Sequence, residues 1–275
     1  MSLDLNPRQR AMLREMGVRV WWPLPSALPP DQTAAQTIAD SAVDTRSATK
    51  KPVNSLAEQR DPQAPAPGLG TVSSMDWSEL RQAIARCQAC GLCAGRRAPV
   101  FGADARQRAD WLVLGEPVDA DEERAGEPFA GAAGALLDNM LRAVGVSRRA
   151  GAGTPAPAES AYVTNCVKCR PGAARNPQAA ELQACEHFLR RELTLVQPKV
   201  ILALGRFAAQ TVLQGSAPEL AATPLGKLRG TVHRYQGIAV VVSYAPTSLL
   251  RNPLDKARAW ADLCLARHTL STMSR

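Results

Sequence analysis

The sequence predicts an α/β fold, a three-layer α/β/α sandwich built on a short, mostly parallel central sheet. Three observations carry that expectation. Apolar runs at 111–114, 162–164, 200–204 and 238–242 are too short for helices and too continuous for strands with one wet face. Helix-periodic segments over 133–144, 177–193 and 206–213 separate them, as a parallel sheet covered on both faces requires. The 275 residues are 45% hydrophobic and 21% charged, the composition of a globular chain able to bury a core.

Taken in order, residues 6–22 read as a short helix stopped by Gly17, followed by an extended peptide ending in Trp21 and Trp22. Two adjacent tryptophans on so short a segment call for a partner surface, so 1–22 is expected to be a docking peptide. Residues 23–75 are rich in Pro, Ala, Ser, Thr and Gln, with almost no large apolar side chain, and are expected to be a disordered linker. One domain should then fill 76–275. Asp76, ahead of Trp77 and Glu79, is a helix cap. The strands and helices named above follow, with a closing strand pair at 231–235 and 238–242. A last helix is expected to open at Asn252-Pro253, cap and first-turn proline, and to run to about His268. A site on such a sheet belongs outside the carboxyl ends of the strands.

Lys and Arg outnumber Asp and Glu by 33 to 25, a net charge of +8 that favours a polyanionic partner. The seven cysteines are odd in number and the first residues lack a basic-then-apolar secretory pattern, which argues against a disulfide scaffold. No stretch nears the roughly 18 apolar residues of a membrane span. A cytoplasmic location is expected, where clustered cysteines signal metal or redox chemistry. Cys87 and Cys90 form a Cys-x-x-Cys, Cys169 follows a strand in Val167-Lys168-Cys169-Arg170-Pro171, and Cys185 lies on the next helix. Four thiolates suit zinc or an iron–sulfur cluster, and spacing alone does not separate the two. Cys93, Cys166 and Cys264 read as bystanders, with Cys93 able to substitute for a neighbouring ligand.

Three further ordered motifs accompany the cysteines. Residues 115–131 read Gly-Glu-Pro-Val-Asp-Ala-Asp-Glu-Glu-Arg-Ala-Gly-Glu-Pro-Phe-Ala-Gly; Thr164-Asn165-Cys166-Val167-Lys168-Cys169-Arg170-Pro171 ends a strand in a basic turn; Arg229-Gly230 lies ahead of the closing strands. With the cysteines, these resemble the type-4 uracil-DNA glycosylases over about 81–265. That family carries a four-iron, four-sulfur cluster, and its first motif has the form G-E-A-P-G-x-x-E-D-x-x-G-x-P-F-x-G. The resemblance implies cluster ligation by Cys87, Cys90, Cys169 and Cys185. It implies uracil binding by Glu116, Phe129 and Asn165, with the ring stacking on the base and the amide reading its Watson–Crick edge. Glu122 would position or activate water. Lys168, Arg170, Arg229 and Arg251 would contact phosphates. The expected partner is uracil-containing DNA, single- or double-stranded, bound by a monomer. Read without the family, Phe129 has the alternative of a core residue, Asn165 of a strand cap and Glu122 of a solvated surface charge.

The match departs at its most chemical positions. The family's H-P-S-Y-L-L-R reads Ala245-Pro246-Thr247-Ser248-Leu249-Leu250-Arg251 here, so the histidine that stabilises the departing uracil is replaced by alanine. Pro117-Val118-Asp119 stands where the family has Ala-Pro-Gly, and Asp119 is a candidate new general base. Among the histidines only His233 is a candidate to compensate, against the plainer reading of a strand-surface side chain. The expected function is therefore a DNA-repair glycosylase that hydrolyses the N-glycosidic bond of flipped-out deoxyuridine, with reduced or altered activity. The alternative rests on residues 9–21 and on Arg251-Asn252-Pro253 with Ala259, Trp260 and Cys264. These resemble the psi subunit of the bacterial clamp loader, which would make the chain a non-catalytic replication subunit binding chi through its N-terminal peptide.

Overall fold

The computed structural model describes residues 72–102, 108–148, 159–172, 175–214 and 217–273. The expected docking peptide, and the linker up to residue 71, lie outside the described residues. Val72 is buried in the core, and Arg191 donates to the carbonyls of Ser73 (2.6 Å) and Met75 (2.5 Å), so the packed domain begins ahead of Asp76.

The chain runs α1 (Trp77–Arg86), a 3₁₀ turn (Gly91–Ala94), β1 (Trp111–Gly115), α2 (Ala120–Ala125), α3 (Gly131–Ala143), β2 (Val146–Ser147), β3 (Glu159–Asn165), α4 (Ala179–Val196), β4 (Val200–Leu204), α5 (Arg206–Gln214), α6 (Pro218–Ala221), α7 (Leu225–Leu228), β5 (Val232–Tyr235), β6 (Ile238–Ser243), α8 (Pro246–Arg251), a second 3₁₀ turn (Pro253–Asp255) and α9 (Lys256–Met273). Asp76 caps α1 as expected: its carboxylate accepts from Glu79 N at 2.9 Å and Glu79 returns the bond to Asp76 N. The sheet order is β2-β3-β1-β4-β6-β5, parallel except for the β5–β6 pair.

Side chains alternate across this sheet with the strand period of two. Leu112, Leu114, Ile201, Ala203, Val240 and Val242 face one apolar layer, which α1, α4 and α5 cover with Leu80, Ile84, Leu189 and Val212. Trp111, Val113, Val200, Leu202, Ala239 and Val241 face the other, covered by Leu137 and Met140 of α3 and Leu263 and Leu270 of α9. The expected three layers are present. The last helical segment opens where expected, with Asn252 at the N-cap and Pro253 at the start of the 3₁₀ turn that leads into α9; the short helix α8, begun by Pro246, was not expected. No helix among the described residues is long and apolar enough to cross a membrane.

Candidate active site

Strands β1 and β3 are register partners to their last residues, which sets Gly115 beside Asn165 at the carboxyl edge of the sheet. The chain leaving β1 turns into α2 through Asp119. That carboxylate accepts from the amides of Asp121 and Glu122, each at 2.9 Å, and Glu122 Oε2 accepts from Asp119 N at 2.9 Å. This is a capping box, so Asp119 holds a helix end and is not aimed outward as a base.

Glu122 is only 5% exposed, contrary to the reading of a solvated charge in an acidic run. Beyond its capping bond, it accepts from Phe129 N at 2.6 Å and from Asn165 Nδ2 at 3.1 and 3.2 Å. Burial pushes its carboxyl pKa up, against the opposing pull of those hydrogen bonds. One carboxylate thereby joins the first loop, the aromatic and the strand-end amide. Asn165 Nδ2 also donates to the Glu116 carbonyl at 3.0 Å. With Nδ2 facing only acceptors, the orientation of the amide is fixed, and Oδ1 is buried without a protein partner. The Phe129 ring lies over the end of β1: a Cβ on Gly115 would stand 2.6 Å from its Cζ, so a side chain there would push the ring out of place.

Other expected site residues are placed differently. Glu116 meets the site through its carbonyl, while its carboxylate accepts from Phe207 N at 2.7 Å at the start of α5 and is pushed up in pKa by burial. Of the four expected phosphate contacts, Arg251 is exposed at the end of α8, and Arg170, 39% exposed, pairs with Glu123 at 3.3 Å. Lys168 and Arg229 are corrections. Lys168 is 2% exposed and pairs with the fully buried Glu192 at 2.7 Å; Arg229 is paired with Asp262 at 2.8 Å and covers the Tyr244 ring. Ala245 occupies the N-cap of α8, 8% exposed, with no side-chain capping bond. His233 does not compensate for it: its Nε2 lies 2.8 Å from the Leu228 carbonyl and 3.0 Å from Thr231 Oγ1, a local loop tie.

On the opposite side of β3, Cys87, Cys90, Cys169 and Cys185 line one cavity. Cys93, read as a bystander, lines it too; Cys166 is buried outside it and Cys264 is exposed. Burial pushes the Cys185 thiol up to about 12 and raises Cys90 and Cys169. Arg96 Nη1 donates to Cys169 Sγ at 3.1 Å. Among the described residues no three His, Cys, Asp or Glu side chains are grouped closely enough to hold a single metal ion.

Sequence reasoning missed Glu192 and Arg148. Glu192 accepts from Lys168, Tyr162 and Thr164, and Arg148 grips the carbonyls of Pro128 and Phe129. Both lie far in sequence from the partners they meet, and neither sits in a motif.

The uracil DNA glycosylase superfamily model matches residues 101–264. The chain is 33% identical to a type-4 uracil-DNA glycosylase of Archaeoglobus fulgidus over 179 residues, 64% of this chain and 83% of the relative. It is 31% identical to one from Pyrobaculum aerophilum, covering 70% and 93%, and 32% identical to one from Thermotoga maritima, covering 65% and 85%.

Proposed function

Because the chain belongs to the uracil-DNA glycosylase superfamily, we propose that it removes uracil from DNA by hydrolysing the N-glycosidic bond of a flipped-out deoxyuridine. The observation that carries this reading is the convergence of Phe129, Asn165 and Glu122 at the carboxyl ends of β1 and β3. A flipped base is read by stacking and by hydrogen bonds to its Watson–Crick edge. The buried, unpartnered Oδ1 of Asn165 is an acceptor for the N3–H of uracil, and the Phe129 ring offers an apolar face. Glu122, whose oxygens already meet three donors, acts as the organiser of that pair, and Asp119 holds Glu122 in place. Bond cleavage sends the electron pair of the C1′–N1 bond to uracil, and water then adds at C1′ of the oxocarbenium-like sugar, releasing the proton that neutralises the uracil anion. At Ala245 no donor meets the anionic leaving base, which slows this step. Exposed Arg251 and half-exposed Arg170 are suited to backbone phosphates. Single-turnover incubation with a deoxyuridine oligonucleotide, followed by alkaline cleavage, tests the reading. Strand breaks at uracil are expected for the wild type, and their absence at any enzyme excess would contradict it.

The cysteine cavity fits an iron–sulfur cluster in donor chemistry: Cys87, Cys90, Cys169 and Cys185, from three chain segments, line a common space with Cys93, and the Arg96 guanidinium donates to Cys169 Sγ. Cys87, Cys90, Cys169 and Cys185 are proposed to hold it, and when bound it would tie the end of α1 to the β3–α4 loop and to α4. The four thiols, two of them buried, would ionise on binding, as cluster ligation requires. Purified protein is expected to be brown with about four irons per chain, and Cys185→Ser to lose most of that iron. A colourless protein carrying one zinc per chain would overturn the assignment.

A further inference from the structure

We propose that Arg148 is the positioning residue for the aromatic floor of the base pocket, a role that rests on Phe129 being the ring that stacks on uracil. Phe129 has φ +54°, a left-handed backbone that a bulky side chain adopts only when its surroundings impose it. Three features impose it. Glu122 takes the Phe129 amide from one side at 2.6 Å. Arg148 takes the carbonyls from the other: Nη1 donates to Pro128 O at 2.9 Å and Nη2 to Phe129 O at 3.2 Å. Gly134 on α3 completes the seat, since a Cβ there would collide with the Phe129 carbonyl and crowd Arg148 Nη2.

The guanidinium is itself aimed. Asp138, one helical turn beyond Gly134 on α3, accepts from Nε at 2.5 Å and from Nη2 at 3.2 Å, and the arginine side chain is only 6% exposed. The planar fork can grip two successive carbonyls and one carboxylate together, which an ammonium on a flexible stem does not reproduce. Arg148 follows β2 at the sheet edge, so the sheet itself fixes the ring through this side chain. Arg148 touches no substrate atom; it sets where the ring stands.

The test compares affinities for two otherwise identical oligonucleotides, one carrying 2′-fluoro-2′-deoxyuridine, which resists cleavage, the other thymidine. Wild-type protein is expected to prefer the first, and Phe129→Ala to lose about tenfold or more of that preference. Arg148→Ala should lose a comparable factor while its affinity for the thymidine strand stays within about twofold. Since Arg148→Ala leaves Asp138 without its partner, the double variant Arg148→Ala/Asp138→Ala is measured beside it. The double variant should show the same loss of preference whatever its urea midpoint, because the ratio of two affinities is insensitive to the folded fraction. A wild-type preference lost in Phe129→Ala but kept in both arginine variants would overturn the positioning role alone. A wild-type protein with no preference would overturn the functional reading, and the role with it.

Discussion

Ala245→His is expected to raise the single-turnover rate of uracil release roughly 10²–10³-fold, the usual worth of one donor aimed at a developing anion. Ala245 ends the connection from β6 and caps α8, and α8 packs on α3, the helix that follows the Phe129 loop. A side chain at this position therefore issues from the rim of the same sheet edge. The alanine makes no side-chain capping bond, so an imidazole displaces no existing hydrogen bond. Ala245→Ser separates the alternatives: a hydroxyl can cap the helix but is too short to follow the leaving base. Serine is expected to leave the rate near wild type. A histidine variant within twofold of wild type would show that the alanine is not what limits the chemistry.

Lys168→Met is expected to destabilise the fold by about 3–5 kcal/mol, the cost of leaving a buried charge without its partner. Lys168 Nζ lies 2.7 and 2.8 Å from the Glu192 oxygens, and Tyr162 Oη and Thr164 Oγ1 donate to the same carboxylate. Glu192 is fully buried, so water cannot replace the lysine. The double variant Lys168→Met/Glu192→Gln should recover part of the loss, since the amide oxygen still accepts from the tyrosine and threonine while no charge remains. Urea denaturation of the three proteins measures this. A Lys168→Met midpoint equal to wild type, joined to a shallower salt dependence of DNA binding, would return Lys168 to the phosphate contacts expected from sequence.

The central strands were legible because β1, β4 and β6 are buried on both faces and read as unbroken apolar runs; 200–204 is matched residue for residue by β4. Asn165 and Phe129 were legible as motif members, but Glu122 was not legible as their link. In the run Asp121-Glu122-Glu123 the three acids look alike, and only the capping geometry of Asp119 turns Glu122 inward. The same blindness made Lys168 a phosphate contact: its partner Glu192 is 24 residues away on α4, and a long-range ion pair leaves no local pattern. Helix α8 was missed because its six residues are too few to show a helical period and Ala245 offers no side-chain cap, whereas Asn252-Pro253 carries both start signals of the segment that follows.

The central claim is that the pocket at the ends of β1 and β3 reads and releases uracil. Chromatographic quantification of free base after stoichiometric incubation of the wild type, Asn165→Ala and Ala245→His with DNA containing deoxyuridine tests it most directly. Free uracil is expected from the wild type, with much faster release from Ala245→His, background release from Asn165→Ala, and no thymine or cytosine from any of them. Release from the wild type and Ala245→His no greater than from Asn165→Ala would contradict it.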